Sequence, residues 1–138
     1  MSKRAIEHQS LSPRCTLARA AAVTRQAARL GFDWPTIGEV IAKVREEIEE
    51  LDDAIASRDR DAVFAELGDA LFALVNVARF LDLSPEDALA GTIARFEKRF
   101  AFVRDSLAHT GRRPEEVSLT VLDNLWEEAK RLERAGGD

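Results

Sequence analysis

The chain of 138 residues has one cysteine, two histidines, no tyrosine and four prolines. A lone thiol, Cys15, excludes an internal disulfide framework and cannot complete a zinc site by itself, so it reads as a small helix residue in a reducing, cytoplasmic setting. The histidines, His8 and His109, fall in the amino-terminal stretch and in an interhelix loop, and neither follows a glutamate by three. That spacing excludes a ferritin-type di-iron bundle, which needs a Glu-x-x-His pair on each of two helices. No apolar run approaches the ~20 residues that span a bilayer, and the opening MSKRAIEHQS has no apolar leader segment, so no membrane partner is expected. Positive charge is also short, at 20 Lys and Arg against 25 Asp and Glu, a net −5. A general nucleic-acid binder needs a basic face to displace phosphate counterions, so that class is excluded too.

What remains is an all-α protein. Nearly half of the chain is apolar and a third is charged, without Ser, Gly or Pro tracts, strand-like alternation or internal repeats. The length suits one domain, expected over residues 13–135, with a flexible tail at 1–12 and a disordered end at 136–138. Punctuation predicts five helices. The first begins at Ser12-Pro13 and ends at Gly31. After the connector GFDWP, Thr36 and Glu39 have capping-box spacing and open a second helix. Its stripe Ile37, Val40, Ile41, Val44, Ile48, Leu51, Ile55 repeats at three and four. SRDRD makes a turn, and a third helix from about Asp61 to Leu81 is apolar nearly all round after Ala70, as a central helix would be. Ser84-Pro85 caps a fourth helix, where Leu89, Ile93, Phe96, Phe100, Val103 and Leu107 form a bundle seam. HTGRRPEEVS breaks it, and a last helix starts near Ser118.

Against this apolar background the carboxylates stand out. If the second and third helices form an antiparallel hairpin turning near residue 58, residues whose numbers sum to about 116 lie level: Glu50 with Glu66, and Glu47 with Asp69. Each helix contributes a pair at i, i+3, adjacent on its surface. Glu47 and Glu50 alone would suit a solvated flank, but Glu66 and Asp69 lie in an apolar helix, where unpaired acids are rarely buried. Four facing carboxylates repel one another unless a hard cation compensates them, and oxygen ligands without His or Cys select Mg²⁺ or Mn²⁺ over zinc. Gly68 either clears space near such a cation or permits close helix packing. Asn76, two turns beyond Asp69, serves either a ligand's base or sugar hydroxyl or a neighbouring helix.

These residues resemble the MazG family of all-α nucleoside triphosphate pyrophosphohydrolases, whose EExxE and ExxD signature is met by Glu46, Glu47, Glu50, Glu66 and Asp69. The resemblance runs through TRQAARLGFDWP, KVREEIEEL, ELGDALFALVNVARF, RFEKRF and LDNLWEEAKR, and is greatest to the carboxy-terminal half of full-length members. It implies that Glu47, Glu50, Glu66 and Asp69 hold Mg²⁺, and that Arg95, Arg99, Trp126 and Lys130 handle the nucleotide. It implies hydrolysis of a nucleoside triphosphate to monophosphate and pyrophosphate, and a homodimer, or a higher homo-oligomer, that completes the bundle. A catalytically silent helical interaction module is the competing expectation.

Overall fold

The computed structural model describes residues 16–136, and these are all-α. Five helices follow in order: α1 (Thr16–Arg29), α2 (Ile37–Ser57), α3 (Arg60–Phe80), α4 (Pro85–Ala108) and α5 (Leu119–Gly136), with a 3₁₀ turn at Pro114–Glu116. The expected tail at 1–12, the Ser12-Pro13 start and Cys15 lie outside the described residues. At the other end α5 runs through Gly136, the first residue of the expected disordered end, and 137–138 lie outside. The chain divides into two compact units, with the boundary between Ala88 and Leu89, one turn into α4.

In the first unit α2 and α3 form the hairpin. Its turn is two residues long. Arg58 adopts the left-handed conformation (φ 57°) and donates its N–H to the Ile55 carbonyl. Asp59 then caps α3, its carboxylate accepting the Asp61 and Ala62 amides at 3.1 and 3.2 Å. At the other end of α2, the Thr36 hydroxyl accepts the Glu39 amide. Short connections of this kind force neighbouring helices antiparallel, as the sequence reading expects.

α1 packs on α3 as well, so α3 is central to its unit. The packed faces are built from small side chains: Ala21, Ala54, Ala70 and Ala73 are all buried, beside Val40 and Val75. The connector between α1 and α2 turns at Gly31 (φ 92°), a conformation suited to glycine. It then delivers Asp33 to α3, where Arg79 donates to both carboxylate oxygens at 2.7 and 2.8 Å.

The all-round apolar character of α3 has a different outcome from burial. Phe64 is 82% exposed and Leu71 51%, and Leu67, Leu74 and Leu81 are about half exposed beside them. α1 and α2 cover other faces of α3; this one, spaced three, four, three and seven, stays open. The second unit shows a related pattern. Val103 and Leu107 at the end of the α4 seam are buried, with Ala129 of α5, whereas Leu89, Ile93, Phe96 and Phe100 are not. Phe96 meets Trp126 at 5.2 Å between ring centres, which fixes α4 against α5.

Candidate metal centre

The hairpin register brings the carboxylates together. Glu47 from α2 and Glu66 and Asp69 from α3 each offer an oxygen, all within 4.8 Å of one another. Glu47 is buried, Glu66 half-buried and Asp69 exposed, so the cluster opens at one side. Glu50 is exposed but belongs to the same field. Its carboxyl is held above the ordinary glutamate range, first by the charge of Glu47, then by burial, then by Glu66 and Glu46.

Among the described residues, one cation answers these charges. Lys43, one turn before Glu47, places Nζ 2.7 Å from Glu47 Oε1 and 3.4 Å from Glu46. The contact with Glu47 raises the lysine's affinity for its proton. One ammonium is not enough. Glu47 Oε2 and Glu66 Oε2 are both buried with no hydrogen-bond partner. Two carboxylate charges at roughly 5 Å repel by about 3 kcal/mol at an effective dielectric of ~20. Orphaned buried oxygens at ligand spacing, with no His or Cys, fit a hard divalent cation.

A cavity of about 280 Å³ adjoins the cluster, lined by Trp34, Lys43, Glu47, Asp69, Phe72, Ala73 and Asn76. It has a charged wall and an aromatic wall. Asn76, itself buried, thus opens onto the space that Asp69 borders, two turns along the same helix. Gly68 is surrounded by open space, since an added Cβ would meet nothing within 4 Å, so close packing is not its reason.

The remaining four residues from the sequence analysis belong to the second unit, Arg95 and Arg99 on α4 and Trp126 and Lys130 on α5. Arg99 donates from Nε and Nη2 to Glu133 at 2.9 to 3.1 Å and lies 5.7 Å from the Trp126 ring centre. That pair raises Arg99 and lowers Glu133, each by hydrogen bonding first. Lys130 is 3.1 Å from Glu127. Arg95 donates only to the Thr92 hydroxyl, at 3.0 Å, and makes no ion pair among the described residues. Of the three cations, Arg95 is the one whose charge is least compensated.

Sequence reasoning did not single out Lys43, Trp34 or the Asp33–Arg79 pair. Lys43 was detectable, because a lysine four residues before a glutamate shares its helix face. Arg79 was detectable by the argument that marks Glu66 and Asp69, a charge in an apolar helix. Its partner is 46 residues away, and no local pattern connects them.

Residues 36–102 match the family described as the MazG nucleotide pyrophosphohydrolase domain. The chain is 39% identical over 119 residues to the nucleoside triphosphate pyrophosphohydrolase of Escherichia coli K12, covering 85% of this chain and 45% of that protein. It is 36% identical over 137 residues to the nucleoside triphosphate pyrophosphohydrolase/pyrophosphatase MazG of Thermotoga maritima, covering 99% of this chain and 50% of that one. Over 70 residues it is 47% identical to a Bacillus subtilis protein, YabN, at 51% and 14% coverage. The chain therefore spans about half the length of the pyrophosphohydrolases it matches.

Proposed function

The chain belongs to the MazG nucleotide pyrophosphohydrolase family, and from that premise we propose that it is a Mg²⁺-dependent hydrolase converting a nucleoside triphosphate to a monophosphate and pyrophosphate. The observation that carries this reading is the set of three carboxylate oxygens within 4.8 Å, two of the side chains bearing buried, unpartnered oxygens, all inside the family-matched residues. Glu47, Glu50, Glu66 and Asp69 would hold the ion, with Mn²⁺ an acceptable substitute. Bound there, it would supply neutralisation of charge on the phosphate oxygens.

The chain's own residues do the rest. The cavity beside the carboxylates admits the nucleoside part, with Trp34 and Phe72 offering ring faces and Asn76 a polar contact. Water attacks the α-phosphorus, the bond to the bridging oxygen breaks, and a carboxylate of the cluster takes the water's proton. Lys43 holds Glu47 in position through their 2.7 Å contact. Arg95, Arg99 and Lys130 bind phosphate oxygens, with Trp126 stacking beside Arg99. The setting we assign is the cytoplasm, and the functional form a homodimer in which the open face of α3 meets a second copy.

The test is product identity. Incubated with a triphosphate and Mg²⁺, the protein is expected to release pyrophosphate and monophosphate from the first turnover. Diphosphate and orthophosphate as initial products would sink the assignment. A second expectation separates phosphate binding from metal binding. Arg95→Ala and Lys130→Ala each remove a charge-assisted contact worth about 1.5 to 3 kcal/mol, so kcat/KM should fall roughly tenfold to a hundredfold. The Mg²⁺-dependent rise in Tm should persist in both. Unchanged kcat/KM in the two variants would show these cations to be solvated bystanders.

A further inference from the structure

Arg79 is a cation buried in α3, 7% exposed, and its bonding has a consequence for its neighbour. Besides the two bonds to Asp33, its Nη2 donates to Asn76 Oδ1 at 3.1 Å. A guanidinium has donors only, so the side of the Asn76 amide that faces Arg79 has to be its oxygen. The NH₂ group then points away. Asn76 is 4% exposed, and the bond from Arg79 is the one side-chain hydrogen bond it makes among the described residues. Asn76 lines the cavity whose charged wall is Glu47 and Asp69, and with its oxygen turned to Arg79 the amide has its NH₂ left to offer there. Asn76, Trp34 and Phe72 also line a second, mostly apolar hollow of about 150 Å³.

The arrangement also resists reversal. Asp33 accepts both Nη groups of Arg79 and the Trp34 amide, the last at 2.8 Å, so the arginine is fixed in angle as well as in distance. A free asparagine can turn its amide to suit a donor or an acceptor. This one would lose the Arg79 bond by turning, and would bring two donors face to face.

We propose that the Asp33–Arg79 pair is a positioning device that locks Asn76 as a donor, so that the cavity takes bases presenting a carbonyl oxygen and disfavours the corresponding amino bases. The inference rests on the reading that a nucleoside occupies this cavity. Trp34 and Phe72 supply stacking surfaces that tolerate any base, which leaves Asn76 as the polar group that discriminates. An amino base would set its NH₂ against the Asn76 NH₂, leaving a buried donor unpaired. That mismatch is expected to cost at least about tenfold in kcat/KM.

Two substrate pairs isolate the effect, because each keeps its sugar and triphosphate and exchanges amino for carbonyl: ATP with ITP, and dCTP with dUTP. The unaltered protein should prefer the carbonyl member by tenfold or more in at least one pair. Asn76→Asp presents an acceptor in place of the donor and should invert that preference. Asp33→Asn loosens Arg79, lets the amide turn, and should bring the ratio towards one. A pair that merely staples the connector to α3 would lower Tm in Asp33→Asn and leave the ratio unmoved. Equal kcat/KM within both pairs, or a ratio unmoved in either variant, overturns the inference and leaves the hydrolase assignment standing. If no triphosphate is turned over, the assignment fails instead, and free nucleosides decide the inference. A ¹⁵N-labelled protein should then show its Asn76 side-chain NH₂ resonance shifted by inosine or uridine more than by adenosine or cytidine, and equal or absent shifts would refute it.

Discussion

Glu66→Gln is expected to abolish turnover, raise the melting temperature of the metal-free protein and shrink the Mg²⁺-dependent rise. The substitution nearly preserves shape and removes one charge from a cluster spanning 4.8 Å. Without metal, Glu66 faces Glu47 and Asp69, and one of its oxygens is buried without a partner. Removing its charge relieves repulsion that exceeds what Lys43 can offset. On the proposed reading the same carboxylate becomes a ligand when metal binds, and its loss should weaken the site. Binding to the folded form alone stabilises it by RT ln(1 + [L]/Kd), about 2.7 kcal/mol at a hundredfold excess over Kd. A glutamate serving only as a helix-surface residue predicts little change in activity and a small fall in Tm in both conditions. Melting the two proteins in EDTA and in excess Mg²⁺ separates these outcomes, and a variant that keeps the full Mg²⁺ shift loses Glu66 its ligand role.

The same field fixes the sign of one pH effect. Glu50 is raised in the folded protein by Glu47 first, so its contribution to stability is present below the ordinary glutamate range and lost as pH rises through the folded value. Asp33, lowered by Arg79, runs oppositely: its contribution is lost as pH falls through its depressed value.

Leu71→Glu is expected to convert a dimer to a monomer. Phe64, Leu67, Leu71, Leu74 and Leu81 present a continuous apolar stripe on α3 that no described element covers. Burying a large apolar side chain is worth about 1.5 to 3 kcal/mol, so such a stripe is a strong source of association. A glutamate at its centre would face its own copy and the surrounding leucines without a counter-ion, at a cost of several kcal/mol. Sedimentation equilibrium should give twice the chain mass for the unaltered protein and the single mass for the variant. The melting temperature of the former should rise with protein concentration. A monomeric unaltered protein, or an undisturbed dimer in the variant, would remove the second copy from the proposal.

Much of this was legible because it is local. The caps at Thr36 and Ser84 and the breaks around residue 58 are short-range chemistry, and they place the helix ends within a residue or so of those observed. The carboxylate cluster was legible for a related reason: a hairpin with a two-residue turn has little freedom of register, so level positions follow from counting. The rest depends on contacts the chain makes far from itself. Apolar periodicity marks the stripe on α3 but not whether the same chain buries it. Arg99 carries a charge in any reading, yet its capture by Glu133, 34 residues away, redefines what it offers a ligand. The division between Ala88 and Leu89 falls inside α4, where the helical pattern continues without a break.

The buried alanines carry a consequence for substitutability. Ala54, Ala70 and Ala73 are buried on packed faces of α2 and α3, where each contributes a single methyl group. Carboxylate side chains are short, so Glu47, Glu66 and Asp69 can bring oxygens within 4.8 Å of one another only if the two helices that bear them run close. An added methylene at such a position costs about 1 to 3 kcal/mol through overpacking, and it widens the hairpin as it does so. Tolerance to change should thus follow inter-helix spacing rather than chemical character: the blandest residues in the unit are among those least free to vary, while charged neighbours on the outer flank of α2 can be exchanged with little effect.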